Sequence, residues 1–499
     1  MGLTALISSA VVLIVVLLAN RHLLNQDQIP FGDFAADMLW MQKAQTGWLL
    51  TGHYTFSGVH HPGPFALYAR LLGSWGASGW VPSEMGRQFV GVFVQNVLFV
   101  GIVTALLYRL AERLGASGWE AFAAATGTLW LILLVSSIQY FSSSVSQAFI
   151  PTSLVWPFLG FMVAATLTLM GSAFGFVLGS FLLLVLLHLY IPMSLVAAPL
   201  WPFVSFWGWR VRRRSTGQGF PLIGVLIMTA LFAAPIVLDM LVSPPGNLVD
   251  ILKTGKAIQQ NDAKPSAMEV LAFLFRNPPA VLWLTIPVAA ALAFFWKKYR
   301  RLLILAISID CFFILSSFLF YLRSPLPLRE YTAFYLNSLL FYSAAWCLLI
   351  GIIHALRWSR ACVVSSLLGA VLVTVCWGRF EALQPSAVGL VEVARQITAE
   401  NPPGSEVQLV VGDKWKITLA GLMVELDKSA VRACHLEPEF NYYFSPERLC
   451  RTKPQAAYSI QLQFLPPDTH VCPAGTFWLY SKTRLNLKET CVSAIKVES

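Results

Sequence analysis

Charge is what this sequence has least of. Asp, Glu, Lys and Arg make up 12% of its 499 residues, against 57% hydrophobic ones, and mean hydropathy is +0.65. A soluble chain carries about 25% charged residues, so an aqueous globular fold is excluded. The sequence also lacks a Walker A run, a dinucleotide-binding glycine fingerprint, a CxxC pair, an internal repeat and any low-complexity tract. Those absences leave no nucleotide site of either common kind and weaken any zinc reading, because zinc sites draw on closely spaced cysteines. Acids are scarcer than bases, 25 against 35, for a net charge of +10. The position of the bases, described next, argues against nucleic acid as the partner.

What the sequence has instead is long apolar runs. A bilayer core takes about 20 apolar residues per helical span. Stretches of that kind lie at 3–20, 88–108, 119–138, 149–170, 172–190, 192–209, 219–241, 278–296, 302–322, 334–356 and 361–378. The bases fall between them: Arg109 and Arg113, then Arg210, Arg212, Arg213 and Arg214, then Lys297, Lys298, Arg300 and Arg301, then Arg357 and Arg360. With the N-terminus inside, each of these connections is cytoplasmic, as the positive-inside rule requires. Short connections on the other side, 139–148 and near 191, carry no Lys or Arg. The expected fold class is therefore an α-helical polytopic membrane protein of about eleven spans. Its first span has no basic region ahead of it and a poor cleavage site, so it reads as a retained anchor rather than a signal peptide.

Three segments on the outer side are long enough to hold structure: the loop 21–86, the loop 242–277, and the tail. The expected division is a membrane domain at 1–378 and an outer, periplasmic domain at 379–499. In the tail, a helix at 388–400, strands at 407–411, 458–464 and 476–480, and a helix at 415–426 predict a small α/β or α+β layer. Cys434, Cys450, Cys472 and Cys491 all lie there, whereas Cys311, Cys347, Cys362 and Cys376 lie in spans. An even set in an outer segment predicts two disulfides in an oxidising compartment, with the pairing open.

The loop 21–86 carries the most chemistry. Phe31-Gly32-Asp33-Phe34-Ala35-Ala36-Asp37 predicts a helix over 31–46 with apolar residues flanking its acids, the pattern of a helix lying in the membrane interface. Gly52-His53-Tyr54 forms a turn, and His60-His61-Pro62-Gly63-Pro64 opens a second helix taken to begin at Pro62. An early acid, a Gly-x-Tyr turn and a His-Pro-x-Pro run together resemble the first outer loop of bacterial GT-C glycosyltransferases. The layout resembles them too: inside N-terminus, long first loop, later long loop and outer C-terminal domain. The resemblance implies a sugar donor on a polyprenyl phosphate, taken at the outer leaflet of a bacterial inner membrane, with a lipid, glycan or protein as acceptor and membrane lipids as surroundings. It also implies a first-loop acid as catalytic base, carried onto Asp33, with Asp37 one helical turn on as its rival. Such a donor already has a good leaving group. The enzyme needs a carboxylate to take the acceptor's proton and Arg, Lys or His to meet the departing phosphate.

His60 and His61 are candidates for binding substrate or phosphate, or for capping the following helix, while Tyr54 and Tyr68 read as packing residues. Arg329, with Glu330 and Tyr331, is placed to clamp the carrier phosphate, and Arg323 to snorkel. His188 and Tyr190 sit at the outer end of the fifth span as further substrate-binding candidates; His188 is expected either to face the same cavity as the first loop or to be a buried structural group. Lys253, Lys256 and Lys264 suit lipid headgroups. Asp239 and Asp310 are ionisable groups in spans, the second too deep for the site. No cofactor is called for, and divalent metal use is left open. Two further functions fit the composition. One is a lipid or glycan flippase or transporter, which would be expected to show half-repeats and midplane charges. The other is a non-catalytic subunit for envelope assembly.

Overall fold

The structure, a computed structural model, describes all residues except 26–28, 31, 56–57, 139–143, 147–152, 262–264, 277, 279–282, 324–327, 329–333, 378–379, 381–387, 411–415, 438–439, 452–453, 455, 465–471, 473–475, 479–489 and 498–499. A described helix falls on each predicted apolar stretch. They are α1 (Gly2–Ala19), α4 (Glu84–Arg113), α5 (Gly118–Ile138), α6 (Val155–Leu169), α7 (Ala173–Leu189), α8 (Leu200–Thr216), α9 (Leu222–Val242), α12 (Thr285–Phe295), α13 (Arg300–Arg323), α14 (Leu336–Trp358) and α15 (Arg360–Trp377). Among the described residues, six helices are long and apolar enough to cross a membrane, by length and composition only, and four shorter ones are apolar. Helices α4, α5, α6 and α14 form the buried centre of this bundle. At its margin, α9 turns Ile223, Leu226, Leu231, Leu241 and Val242 outward. Water would oppose that exposure, whereas lipid covers it at no such cost. The protein is a multi-pass membrane protein.

Contacts sort the connections into two ends. Arg357 donates to the Gly115 carbonyl at 3.1 Å, Arg109 lies 5.8 Å from the Phe174 ring, and Gly171 packs on the backbone of Arg212. The basic connections thus gather at one end. At the other end lie the loop helices α2 (Asp33–Thr46), α3 (Phe65–Ala77), α10 (Asn247–Asn261) and α11 (Ala267–Arg276), followed by the C-terminal elements.

Those elements are α16 (Val388–Glu400), β1 (Glu406–Val410), α17 (Lys416–Lys428), β2 (Arg432–Cys434), α18 (Asn441–Phe444), β3 (Ala456–Phe464), β4 (Phe477–Trp478) and β5 (Thr490–Val497). The strands form one mixed sheet in the order β2-β1-β3-β5-β4. Parallel pairing joins β1 to β2 and β3, with Val407 opposite Ala433 and Ala456, and antiparallel pairing joins β3 to β5 and β5 to β4. Val407 and Leu409 alternate inward on β1, the period-two pattern of a half-covered strand. Cys434 and Cys450 form a disulfide, and Cys472 is disulfide-bonded as well.

Two local expectations are corrected. The helix α2 does not have the apolar face and wet face that its pattern led one to expect. Every residue from Phe34 to Met41 is buried, so the helix has no wet face along that stretch. It is held between the bundle, where Phe34 stacks on Phe89 at 4.4 Å, and α17 of the C-terminal part. The second loop helix, α3, begins at Phe65 with Pro64 as its N-cap, not at Pro62. Pro64, not His61, is the residue at the cap position, so His61 does not cap the helix.

Candidate active site

The first long loop is built as a hairpin laid against a helix. Gly52 donates to the His61 carbonyl at 2.9 Å, His61 to His53 at 2.7 Å and Thr55 to Val59 at 2.7 Å, which closes residues 52–61 on themselves. Beside this hairpin, Gly32 adopts φ +65°, a left-handed conformation that costs glycine little, and Asp33 follows in the first turn of α2. A helix start favours a carboxylate through its unpaired N–H groups and dipole.

Two acids of α2, one turn apart, meet the two residues after Gly52. The Tyr54 hydroxyl donates to Asp33 Oδ1. His53 Nδ1 donates to Asp37 Oδ1 at 2.5 Å, and Arg70 donates to Asp37 Oδ2 at 2.7 Å and to Gln95 Oε1 at 3.0 Å. The two carboxylates therefore differ. Asp33 is half-buried. Asp37 is 5% exposed and has both oxygens engaged. Burial pushes the Tyr54 phenol well above its usual range, with Tyr443 and Asp33 adding to the shift, so it stays protonated and donates. Burial also lowers the Arg70 guanidinium, against the pull of Asp37, and lowers His53 against the same carboxylate.

The histidines expected to bind substrate are packed groups in this structure. His60 donates from Nδ1 to the Gly52 carbonyl at 3.0 Å and meets Trp40 edge-on at 4.6 Å. His61 Nδ1 accepts from Ile191 N–H at 3.4 Å, and its ring lies 5.7 Å from Tyr190. His188 donates from Nε2 to the Phe232 carbonyl at 2.9 Å, and Gly63 packs so closely on its imidazole that a Cβ would collide with it. His188 thus lies against Gly63 of the first loop, and His61 of that loop lies beside Tyr190. Desolvation lowers His60 to about 4 and His61 to about 3, so both are neutral at pH 7. A neutral imidazole can hydrogen-bond a phosphate but cannot neutralise it.

The two long loops are tied at His60. Its N–H donates to Asn247 Oδ1 at 2.9 Å, and Asn247 Nδ2 donates back to the His60 carbonyl at 3.0 Å. Asp239 then accepts from the Asn247 N–H at 2.6 Å, so this acid holds the start of α10. Asp310 is fully buried and accepts from Ser343, a packing contact between α13 and α14. Tyr68 accepts from the Leu49 N–H at 2.8 Å, as a structural residue would. Tyr54, expected only to pack, is hydrogen-bonded to Asp33. Lys253 pairs with Asp250 at 4.0 Å on the surface of α10. Arg329, Glu330 and Tyr331 lie outside the described residues, as does Lys264. No group of three or more His, Cys, Asp or Glu is placed to hold a metal ion among the described residues.

Sequence reasoning missed Arg70, Gln95, His53, Asn247 and Tyr443. Arg70 did leave a signal, as the single charged residue of the apolar helix Phe65–Ala77; such a residue is rarely buried without a partner. The others are common polar or aromatic residues whose partners lie far away in the sequence.

No protein-family model matches the chain, and no curated protein does. Among solved structures, a crystal structure of ArnT from Cupriavidus metallidurans in the apo state is similar over 98% of this chain and 97% of that one, with a TM-score of 0.49 and 14% sequence identity.

Proposed function

We propose that this protein is a membrane glycosyltransferase of GT-C type that moves a sugar from a polyprenyl phosphate to an acceptor hydroxyl, with Asp33 as general base. The observation that carries the reading is the contrast between the two acids of α2. Asp33 is half-buried at a helix start, with the Tyr54 hydroxyl donating to it, so part of its carboxylate is open to an acceptor. Asp37 is buried and bonded at both oxygens to His53 and Arg70. A base must reach the proton that it takes, and Asp37 is committed to holding the loop.

In this reaction the acceptor O–H gives its proton to Asp33 while its oxygen bonds to the anomeric carbon. The bond from that carbon to the phosphate oxygen breaks, both electrons leave with the phosphate, and the configuration inverts. Because His60 and His61 are neutral, we assign the phosphate charge to Arg329, with Glu330 next to it in the sequence. His60, His61, His188 and Tyr190 shape the wall and can offer hydrogen bonds. The acceptor is a lipid, glycan or protein carrying a free hydroxyl. The positive-inside rule puts the basic end in the cytoplasm and the site at the outer, periplasmic face of a bacterial inner membrane.

Purified protein supplied with radiolabelled polyprenyl-phosphate monosaccharides tests this. The wild type should transfer or hydrolyse one of them. Asp33→Asn should lose about a hundredfold or more, the usual share of a general base, while still expressing and inserting normally. Transfer at the normal rate by that variant removes Asp33 from the reaction and makes Asp37→Asn the next test.

A further inference from the structure

The sheet-bearing end of the chain does not stand clear of the loop that it covers. Helix α17 lies along α2, with Gly421 so close to the Pro30 carbonyl that any Cβ would collide there. Gln42 of α2 reaches both sides. Its amide donates to Glu84 at 3.4 Å, and its oxygen accepts from Arg448 at 3.1 Å. From α18, a residue reaches the tyrosine that is bonded to the proposed base. Tyr443 is fully buried, and its ring meets that of Tyr54 edge-on, with centroids 4.5 Å apart and planes at 68°.

We propose that Tyr443 is a positioning residue for the Asp33 carboxylate, acting through the ring of Tyr54, so that the C-terminal sheet domain completes the site wall. The proposal rests on the reading of Asp33 as base. The hairpin fixes the backbone of Tyr54, through the bridge between Tyr54 and His60 and the bonds on either side of it. What remains to be set is the ring, and a tyrosine ring carries its hydroxyl rigidly at the far end. An edge-to-face partner at this distance holds such a ring better than burial alone. With Tyr443 in place, the Tyr54 hydroxyl stays on Asp33 Oδ1. Without it, the ring can turn, the hydroxyl leaves, and the carboxylate loses a contact that orients it.

Tyr443→Leu keeps apolar bulk in the buried site and removes the aromatic edge, and Tyr443→Phe restores the ring. Displacing a reacting group by about 1 Å can cost a hundredfold, so kcat should fall by about tenfold or more in Tyr443→Leu. The donor KM should stay within about twofold, because positioning a base leaves substrate binding alone. Tyr443→Phe should recover most of the rate. Because both residues act on one contact, Tyr54→Phe combined with Tyr443→Leu should be no slower than Tyr54→Phe alone. A Tyr443→Leu enzyme at full rate, or losses that multiply in the double variant, would overturn the proposal. A second measurement does not need turnover: carbodiimide labelling of Asp33, followed by peptide mass spectrometry. Labelling should be faster in Tyr443→Leu and Tyr54→Phe than in wild type, by similar factors. Equal rates in all three overturn the coupling. If wild type transfers no sugar, the proposed function falls, while the labelling still decides whether Tyr443 acts on Asp33.

Discussion

Replacing Arg70 with methionine should open the outer loop by a predictable amount. The Asp37 and Arg70 side chains are 7% and 1% exposed and lie 2.7 Å apart. Desolvating two such groups consumes most of their mutual attraction, so the intact pair adds little net stability. Removing one partner is different, because the other charge stays buried; such changes cost about 3–5 kcal/mol. His53 still donates to Asp37 after the change, but Gln95 Oε1 loses its donor too. Native-state proteolysis of the detergent-solubilised protein reads the effect at residues 21–86. Where reclosing outpaces cleavage, the rate follows the open population, and 3–5 kcal/mol corresponds to about 150- to 5,000-fold faster cutting. The double variant Asp37→Asn with Arg70→Met removes both charges and should regain at least half of the lost free energy. Less than about fivefold acceleration in Arg70→Met, which at 1.4 kcal/mol per tenfold is under 1 kcal/mol, would refute the argument. So would a double variant that opens more readily than the single one.

Stability should fall with acid. His60 and His61 have folded-state pKa values of about 4 and 3, below the ordinary 6.5. The unfolded chain therefore binds more protons below pH 6.5. Their contribution is complete above that pH and is lost as the pH falls toward 4 and then 3, at about 1.4 kcal/mol per pH unit for each histidine. Unfolding measured from pH 7.5 to 4.5 checks this, and a flat profile contradicts it. Iodoacetamide without reductant should label neither Cys434 nor Cys450. Replacing both by serine should cost about 3 kcal/mol, given a loop of about this length; labelling of either thiol in the native protein would show that the bridge does not form.

The spans were readable because a bilayer demands a fixed length of apolar chain and sorts the bases between spans, and both signals are local. Five tail elements were readable to within about two residues for the same reason: Val407 and Leu409 alternate on a strand, and the helices carry apolar faces; the strands Arg432–Cys434 and Thr490–Val497 and the short helix Asn441–Phe444 were missed. The error on the helix at 33–46 has a physical cause. Interfacial character was inferred from apolar residues beside acids, but its apolar positions point all round, and the acids have partners in Tyr54, His53 and Arg70. A sequence shows that Asp37 is flanked by apolar residues without showing that an arginine 33 positions later will share its pocket. Asn247 was hidden more deeply, because its bond to His60 spans 187 positions.

Gln42, shared between Glu84 of the bundle and Arg448 of the sheet, sets an order of assembly. A ribosome delivers Gln42 and Glu84 early and Arg448 close to last. Until the segment after Phe380 has folded, the helix at 33–46 lacks its cover, and Tyr54 lacks the ring against which it rests. Two segments far apart in the sequence thus share one side chain, and the helix at 33–46 has its full set of contacts only when both are folded.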